Sequence, residues 1–226
     1  SRVKTFSIGF PHTDDSELRY ARQVAQRYGT DHHEMIVEPA MTDVIGPIVR
    51  HHGEPFADSS AIAMYYLARM TREHVTVALS GDAADEVFAG YKRYVTARLG
   101  HVYDALPPIV RSLYRGALRA VLRYPAPSAA RYATAFPLGE ATRYASLIGH
   151  FTPEEKAQLY LPRMQAVRSW DTIERFERVL GESAAGAAIG RLADLDFQTY
   201  LTDDINVKVD IASMALWLAS DEAAFA

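Results

Sequence analysis

The sequence contains no cysteine. That absence excludes disulfides, thiolate metal sites and cysteine nucleophiles, and a cytoplasmic location fits it. Also lacking is any apolar run of about 20 residues, the length a membrane helix needs, and no signal peptide opens the chain. Basic residues are not in excess: 24 Lys and Arg stand against 28 Asp and Glu, for a net charge of -4. The chain therefore has no general attraction to nucleic acid or to anionic membranes. Its 13 tyrosines are not interleaved with basic residues in the manner of single-strand binders, which favours core and rim packing. No initiating methionine is present. Ser1-Arg2-Val3-Lys4 runs at once into a strand-like segment, as expected of a piece of a longer protein.

What is present is a 226-residue chain, 49% hydrophobic and 23% charged, enough for one large domain or two small ones with a sizeable core. The first third alternates strand and helix signals. Val3 to Phe10 is rich in β-branched and aromatic residues and ends at a turn. Asp14-Asp15-Ser16-Glu17 reads as a capping box, with Leu18, Ala21, Ala25 and Tyr28 following at helical spacing and Gly29 as the stop. His32 to Val37 reads as a second strand. Met41 to His52 and Ser60 to Glu73 read as helices, the first weakened by Gly46-Pro47. His74 to Leu79 reads as a third strand. Strands separated by single helices predict a parallel sheet flanked by helices, with ligands beyond the strand ends after Phe10, Val37 and Leu79.

After Tyr94 the pattern becomes helical. Helices are expected over His101 to Leu122, broken at Pro107-Pro108, and from Thr152-Pro153-Glu154-Glu155, Asp171 to Leu180 and Ala184 to Leu201. Tyr124-Pro125-Ala126-Pro127 is a breaker. Asp203-Asp204 is expected to cap a last helix through Leu218. The organisation is thus an α/β half, residues 1–95, and a helical half, residues 96–226, with no internal repeat.

The most informative segment is Ser80-Gly81-Asp82-Ala83-Ala84-Asp85-Glu86. Gly81 has no Cβ to obstruct a ligand, and the amides of Ala83 and Ala84 stand at a helix start, where an anion is favoured. Three carboxylates within five residues repel one another and are easiest to accommodate around a cation such as Mg²⁺. Acidic helix caps worth roughly 0.3–1 kcal/mol each are the competing explanation, with about even odds on the chemistry alone.

Four segments tip that balance. Val75 to Tyr91 resembles the asparagine synthetase segment Leu-Ser-Gly-(Glu/Asp)-Gly-x-Asp-Glu-x-Phe-x-Gly-Tyr. Thr5 to Phe10 is similar to the family's strand bordering the adenine. Glu54 to Arg69 and Tyr200 to Ala215 resemble two further family stretches, in the same order. The region from about 95 to 195 carries no such likeness. The resemblance implies the family's C-terminal synthetase domain, a doubly wound parallel sheet of the PP-loop ATPase type followed by a helical half. It implies use of ATP with Mg²⁺ to adenylate the side-chain carboxylate of aspartate, release of pyrophosphate, and attack by ammonia to give asparagine. The ammonia would come from a glutaminase domain that this chain does not contain. A homo-oligomer is compatible with this set of partners.

Carried over by position, the resemblance places Ile8 and Gly9 beside the adenosine and Ser80 and Gly81 on the nucleotide. Asp85 would bind Mg²⁺. Asp82 stands for an acidic residue, often Glu, that takes a proton from the attacking ammonia, and is one methylene shorter. Asp58, Ser59 and Ser60 would lie in a loop near substrate or pyrophosphate, and Lys208 would stabilise phosphate or oxyanion charge. Three departures matter. The family's Ser-Gly-Gly-x-Asp-Ser pyrophosphate loop is missing, Ile211 stands where Arg or Lys is usual, and Trp217 to Ala226 replaces the usual tail. They leave two alternatives beside the leading reading: an amide or lactam synthetase acting on another substrate, and a non-catalytic nucleotide-binding module. His32-His33 and His51-His52 lack metal-ligand spacing, and Arg111, Arg115, Arg119 and Arg123 read as a solvated helix face.

Overall fold

Apolar periodicity accounts for most of the element order in the computed structural model, which describes residues 2–11, 17–38, 41–121, 134–151, 153–164 and 172–222. The chain divides into two compact units, residues 1–81 with 202–226, and residues 82–201. Among the described residues no helix is long and apolar enough to cross a membrane.

The first unit begins with β1 (Lys4–Gly9), α1 (Leu18–Tyr28) and β2 (Asp31–Ile36). The strands pair in parallel, from Lys4 opposite Asp31 to Gly9 opposite Ile36. Gly29 ends α1 at φ 63°, donating its amide to the Ala25 carbonyl, a left-handed cap that glycine adopts without strain. Leu18 and Ala25 are the buried residues of α1. At the end of β1, Gly9 is required by packing: a Cβ there would overlap the Leu18 side chain, reaching within 2.9 Å of its Cγ. Adjacent histidines on β2 point to opposite faces. His32 bonds the Thr5 hydroxyl at 2.8 Å, while His33 stacks on Phe6 and meets the His74 ring at a tilt, with centroids 4.1 Å apart.

Next come α2 (Met41–His52) and α3 (Ser60–Arg72). Pro47 is accommodated within α2. His51 and His52 donate ring N–H groups to the Pro47 and Ile48 carbonyls one turn back, at 2.9 and 3.0 Å. The core of this unit is Val37, Val44, Ile48, Ala61 and Tyr66, with Ile8, Met35 and Phe56 packed on it. The last helix of the chain returns to it and packs on both α2 and α3.

The second unit is helical: α4 (Ala84–Phe88), α5 (Lys92–Asp104), α6 (Pro108–Val121), α7 (Glu140–Ile148), α8 (Pro153–Leu159), α9 (Thr172–Glu182) and α10 (Ala188–Gln198). Helices α5, α7, α9 and α10 pack around Tyr94, Tyr144, Phe176, Leu192 and Leu195. Gly100 makes room for the buried Arg143 guanidinium, which donates to Asp104 and to the Phe136 and Leu138 carbonyls. The chain leaves through a π-helical turn, Leu201–Ile205, into α11 (Asn206–Glu222).

Two expectations need correction. His74 to Leu79 is not a strand: among the described residues only β1 and β2 form a ladder. A strand is defined by its neighbours' amides and carbonyls, and this segment has none beside it, so Val77 and Leu79 are 80% and 99% exposed. Asp203 and Asp204 lie inside the π-helical turn instead of capping α11. The part of α5 before His101 and the whole of α7 carry no expectation from the sequence. Asp14 to Ser16, Tyr124 to Pro127, Thr152, Asp171 and Arg123 fall outside the described residues, as do residues 223–226.

A methyl group at position 9 must displace Leu18. Gly9→Ala is expected to destabilise the fold by about 1–3 kcal/mol, read as a lower urea midpoint at an unchanged m-value.

Candidate functional site

In the first unit, two sequence segments 150 residues apart meet at Lys208. The turn before α3 is built by Asp58: its carboxylate accepts the Ser60 amide and the Ser60 hydroxyl, each at 2.8 Å. Such self-bonding turns are what short polar side chains favour at helix starts. Lys208, on the first turn of α11, donates to Asp58 Oδ2 and to Ser60 Oγ, both at 2.8 Å. Its side chain is 12% exposed and that of Asp58 21%. Burial works to raise the Asp58 carboxyl, but the hydrogen bonds from Lys208 and Ser60 and the ammonium charge outweigh it and hold the group below the usual carboxylate range. An ammonium has three donors, so an anionic oxygen can be bound here without breaking either existing bond. Ser59 is exposed and makes no side-chain bond to the helix it precedes.

Ile8 and Gly9 end β1, the edge of a parallel sheet where ligands sit. Gly9 is buried, and its missing Cβ serves Leu18. Ser80 and Gly81 are exposed, and a Cβ at Gly81 would meet nothing within 4 Å, so packing does not demand glycine there.

The acidic loop belongs to the second unit. Helix α4 is five residues long and is closed at both ends by alanines in the left-handed region, Ala83 at φ 72° and Ala89 at φ 56°. The Val87 amide bonds the Ala83 carbonyl, and the Gly90 amide bonds the Asp85 carbonyl. Gly90 is specified by Asp85: a Cβ at 90 would overlap that carboxylate, approaching its Cγ to 2.9 Å. The three carboxylates expected to share a cation are in different surroundings. Asp82 and Asp85 are exposed, whereas Glu86 is 1% exposed and accepts a 2.7 Å bond from the Tyr91 hydroxyl. Among the described residues no three His, Asp or Glu side chains are gathered to hold a metal.

Tyr91 leads into a network that sequence reasoning missed. The Arg93 guanidinium lies 3.7 Å above the Tyr91 ring and 4.5 Å from that of Tyr200. It donates through Nε and Nη2 to Asp196, at 3.2 and 2.9 Å. Tyr94 and Tyr144 donate to the same carboxylate, each at 2.5 Å. Asp196 is 0% exposed. Burial and the Asp196 charge push both tyrosines well above the ordinary phenol range, so they remain donors at any physiological pH. A signal did exist: Asp196 follows Leu192 and Leu195 on the apolar stripe of α10, where an unpaired acid would be unfavourable.

Parallel strands joined by a helix, a Lys–Asp–Ser cluster and an acidic loop mark an α/β protein with polar chemistry at its helix starts. The chain belongs to the asparagine synthase family, whose model matches residues 1–219. Asparagine synthetase (glutamine-hydrolyzing) 1 of Bacillus subtilis strain 168 is 28% identical over 94% of this chain and 33% of its own length. A Mycobacterium tuberculosis H37Rv protein whose name assigns it to the same synthetases is 31% identical over 95% of this chain and 32% of its own. A Methanocaldococcus jannaschii protein, similarly named, is 33% identical over 96% and 41%. The chain thus spans about a third of the length of the first two relatives. No solved structure gives a significant match.

Two predictions follow from the loop and the cluster. The folded value of Asp58 lies below its unfolded value of about 3.9. Its stabilising contribution is therefore complete above that value and is lost as pH falls through the lower folded one. Asp58→Asn should cost about 1–2 kcal/mol at neutral pH, and the gap from wild type should close during acid titration below about pH 4, followed by thermal melting. Ala83→Gly should stabilise the fold by about 0.5–1 kcal/mol, because left-handed strain is relieved against a smaller unfolded-state entropy cost; chemical denaturation measures it.

Proposed function

We propose that this chain is the ATP-using part of an amide-forming synthetase that activates the side-chain carboxylate of aspartate or a related acid. The observation that carries this reading is the junction of Lys208 with Asp58 and Ser60, two family-like segments joined by side-chain bonds. A carboxylate oxygen of the acid attacks the α-phosphorus of ATP and pyrophosphate leaves. Ammonia then attacks the acyl carbonyl, AMP leaves, and the amide remains.

In this scheme Ile8 and Gly9 border the adenosine, and Ser80 and Gly81 meet the nucleotide through backbone and side chain. The open space around Gly81 supports a close approach by a ligand. Lys208, held by Asp58 and Ser60, offers a fixed positive charge to the leaving phosphate or to the oxyanion. Ser59 belongs to the same loop. Asp82, exposed to solvent, accepts the proton that ammonia loses.

Mg²⁺ takes one or two protein carboxylates and completes its shell with phosphate oxygens and water. The exposed Asp85, kept clear by Gly90, suits that single-ligand role. When bound, the ion would neutralise charge on the triphosphate. Residues 1–95 are proposed as the nucleotide-binding half of a doubly wound PP-loop-type domain, and residues 96–226 as its helical half. Ammonia is proposed to come from a glutamine-hydrolysing domain, consistent with the relatives' names.

The test is ATP–pyrophosphate exchange by the full-length protein across a panel of carboxylic acids, with aspartate expected to be the best substrate. Asp85→Ala should lower exchange by at least about 10²-fold while circular dichroism is unchanged. Full activity in that variant removes the assignment of Asp85, and exchange supported only by another acid redirects the substrate.

A further inference from the structure

Helix α4 is too short to hold its own shape. Five residues form barely more than one turn, and isolated helices of that length are unstable in water. Both of its ends sit in backbone conformations that alanine disfavours. Its outer residues Val87 and Phe88 are exposed, the latter 82%. Something else must set the geometry that presents Asp82 and Asp85.

Glu86 is the one fully buried side chain of α4, and it accepts a hydrogen bond from the Tyr91 hydroxyl. Tyr91 is fixed in turn beneath the Arg93 guanidinium, which two hydrogen bonds to Asp196 hold in place. Asp196 belongs to α10, a helix that also packs on α4. A continuous path of bonds and stacking therefore runs from a fully buried carboxylate to the acidic loop.

We infer that Glu86 and Tyr91, braced by Arg93 and Asp196, are positioning residues that hold α4 so that Asp85 and Asp82 face their ligands. Glu86 is thereby assigned as an anchor of the loop and not as a third cation ligand or a base. This rests on the synthetase reading for what Asp82 and Asp85 do, but the anchoring itself can be read without turnover.

The experiment compares Tyr91→Phe, Glu86→Gln and Glu86→Ala with wild type in the full-length protein. Tyr91→Phe keeps the ring under Arg93 and deletes only the bond to Glu86. Amide hydrogen exchange at Val87 and Gly90, whose amides close α4, should accelerate at least about tenfold, with exchange in α5 and α10 unchanged. Mn²⁺ binding in the presence of ATP, followed by electron paramagnetic resonance, should weaken several-fold. In pyrophosphate exchange kcat should fall with little change in the KM for the acid. Glu86→Gln, which retains an acceptor for Tyr91, should restore near-wild-type exchange protection; Glu86→Ala should not. Unchanged protection at Val87 and Gly90 in both Tyr91→Phe and Glu86→Ala overturns the proposal, as does acceleration spread equally over α5 and α10. Asp85→Asn is the control for the underlying reading. If it leaves Mn²⁺ affinity intact, the cation role of Asp85 fails, while amide exchange still reports whether Glu86 and Tyr91 anchor the loop.

Discussion

The Asp196 carboxylate has no exposed surface and accepts four hydrogen bonds, two from Arg93 and one each from Tyr94 and Tyr144. A buried charge is tolerable only when its lone pairs are met with good geometry. Removing one member of such a pair typically costs about 3–5 kcal/mol, because the partner is left charged and dry. The four donors come from α5 and α7, the acceptor from α10, so this one carboxylate fixes the rotation of three helices. Apolar packing around Leu192, Leu195 and Phe176 fills the volume, but apolar contact alone does not select one rotation among neighbours of similar energy. The acidic loop inherits its placement from that choice.

The first unit is organised by a different pair. Lys208 and Asp58 are mostly enclosed and hydrogen-bonded, and they tie α11 to the turn that starts α3. Ala212 and Ala215 are buried on α11, the helix that packs on both α2 and α3. The ion pair supplies register between α11 and the start of α3.

Legibility in the sequence followed the range of the interaction. The helices α1, α2 and α3 and the stop at Gly29 were readable because periodicity and capping are local. The four family-like segments brought Asp58, Ser60 and Lys208 forward as candidates, although not the bonds between them. His74 to Leu79 misled because alternation of Val and Leu reports a preference for extended backbone, whereas a strand needs a neighbour. Glu86 looked like one of three equivalent acids, since nothing in Asp-Ala-Ala-Asp-Glu says which carboxylate turns inward. Arg93 and Asp196 lie 103 residues apart, and no local signal pairs them. Ala83 occupies a place where the resembled family segment carries glycine, and the left-handed φ of 72° gives that glycine its physical reason.

The exposure of Val77 and Leu79 bears on how the molecule behaves in concentrated solution. Val75 to Leu79 is five uncharged residues, β-prone and without proline, the composition of a segment that recruits copies of itself. Among the described residues β1 pairs with β2 alone, and an unpaired strand edge is a template for further pairing. Self-pairing at this stretch would lie outside both cores, and a lysine at the exposed Val77 position would act there as a gatekeeper without touching the packing of either unit.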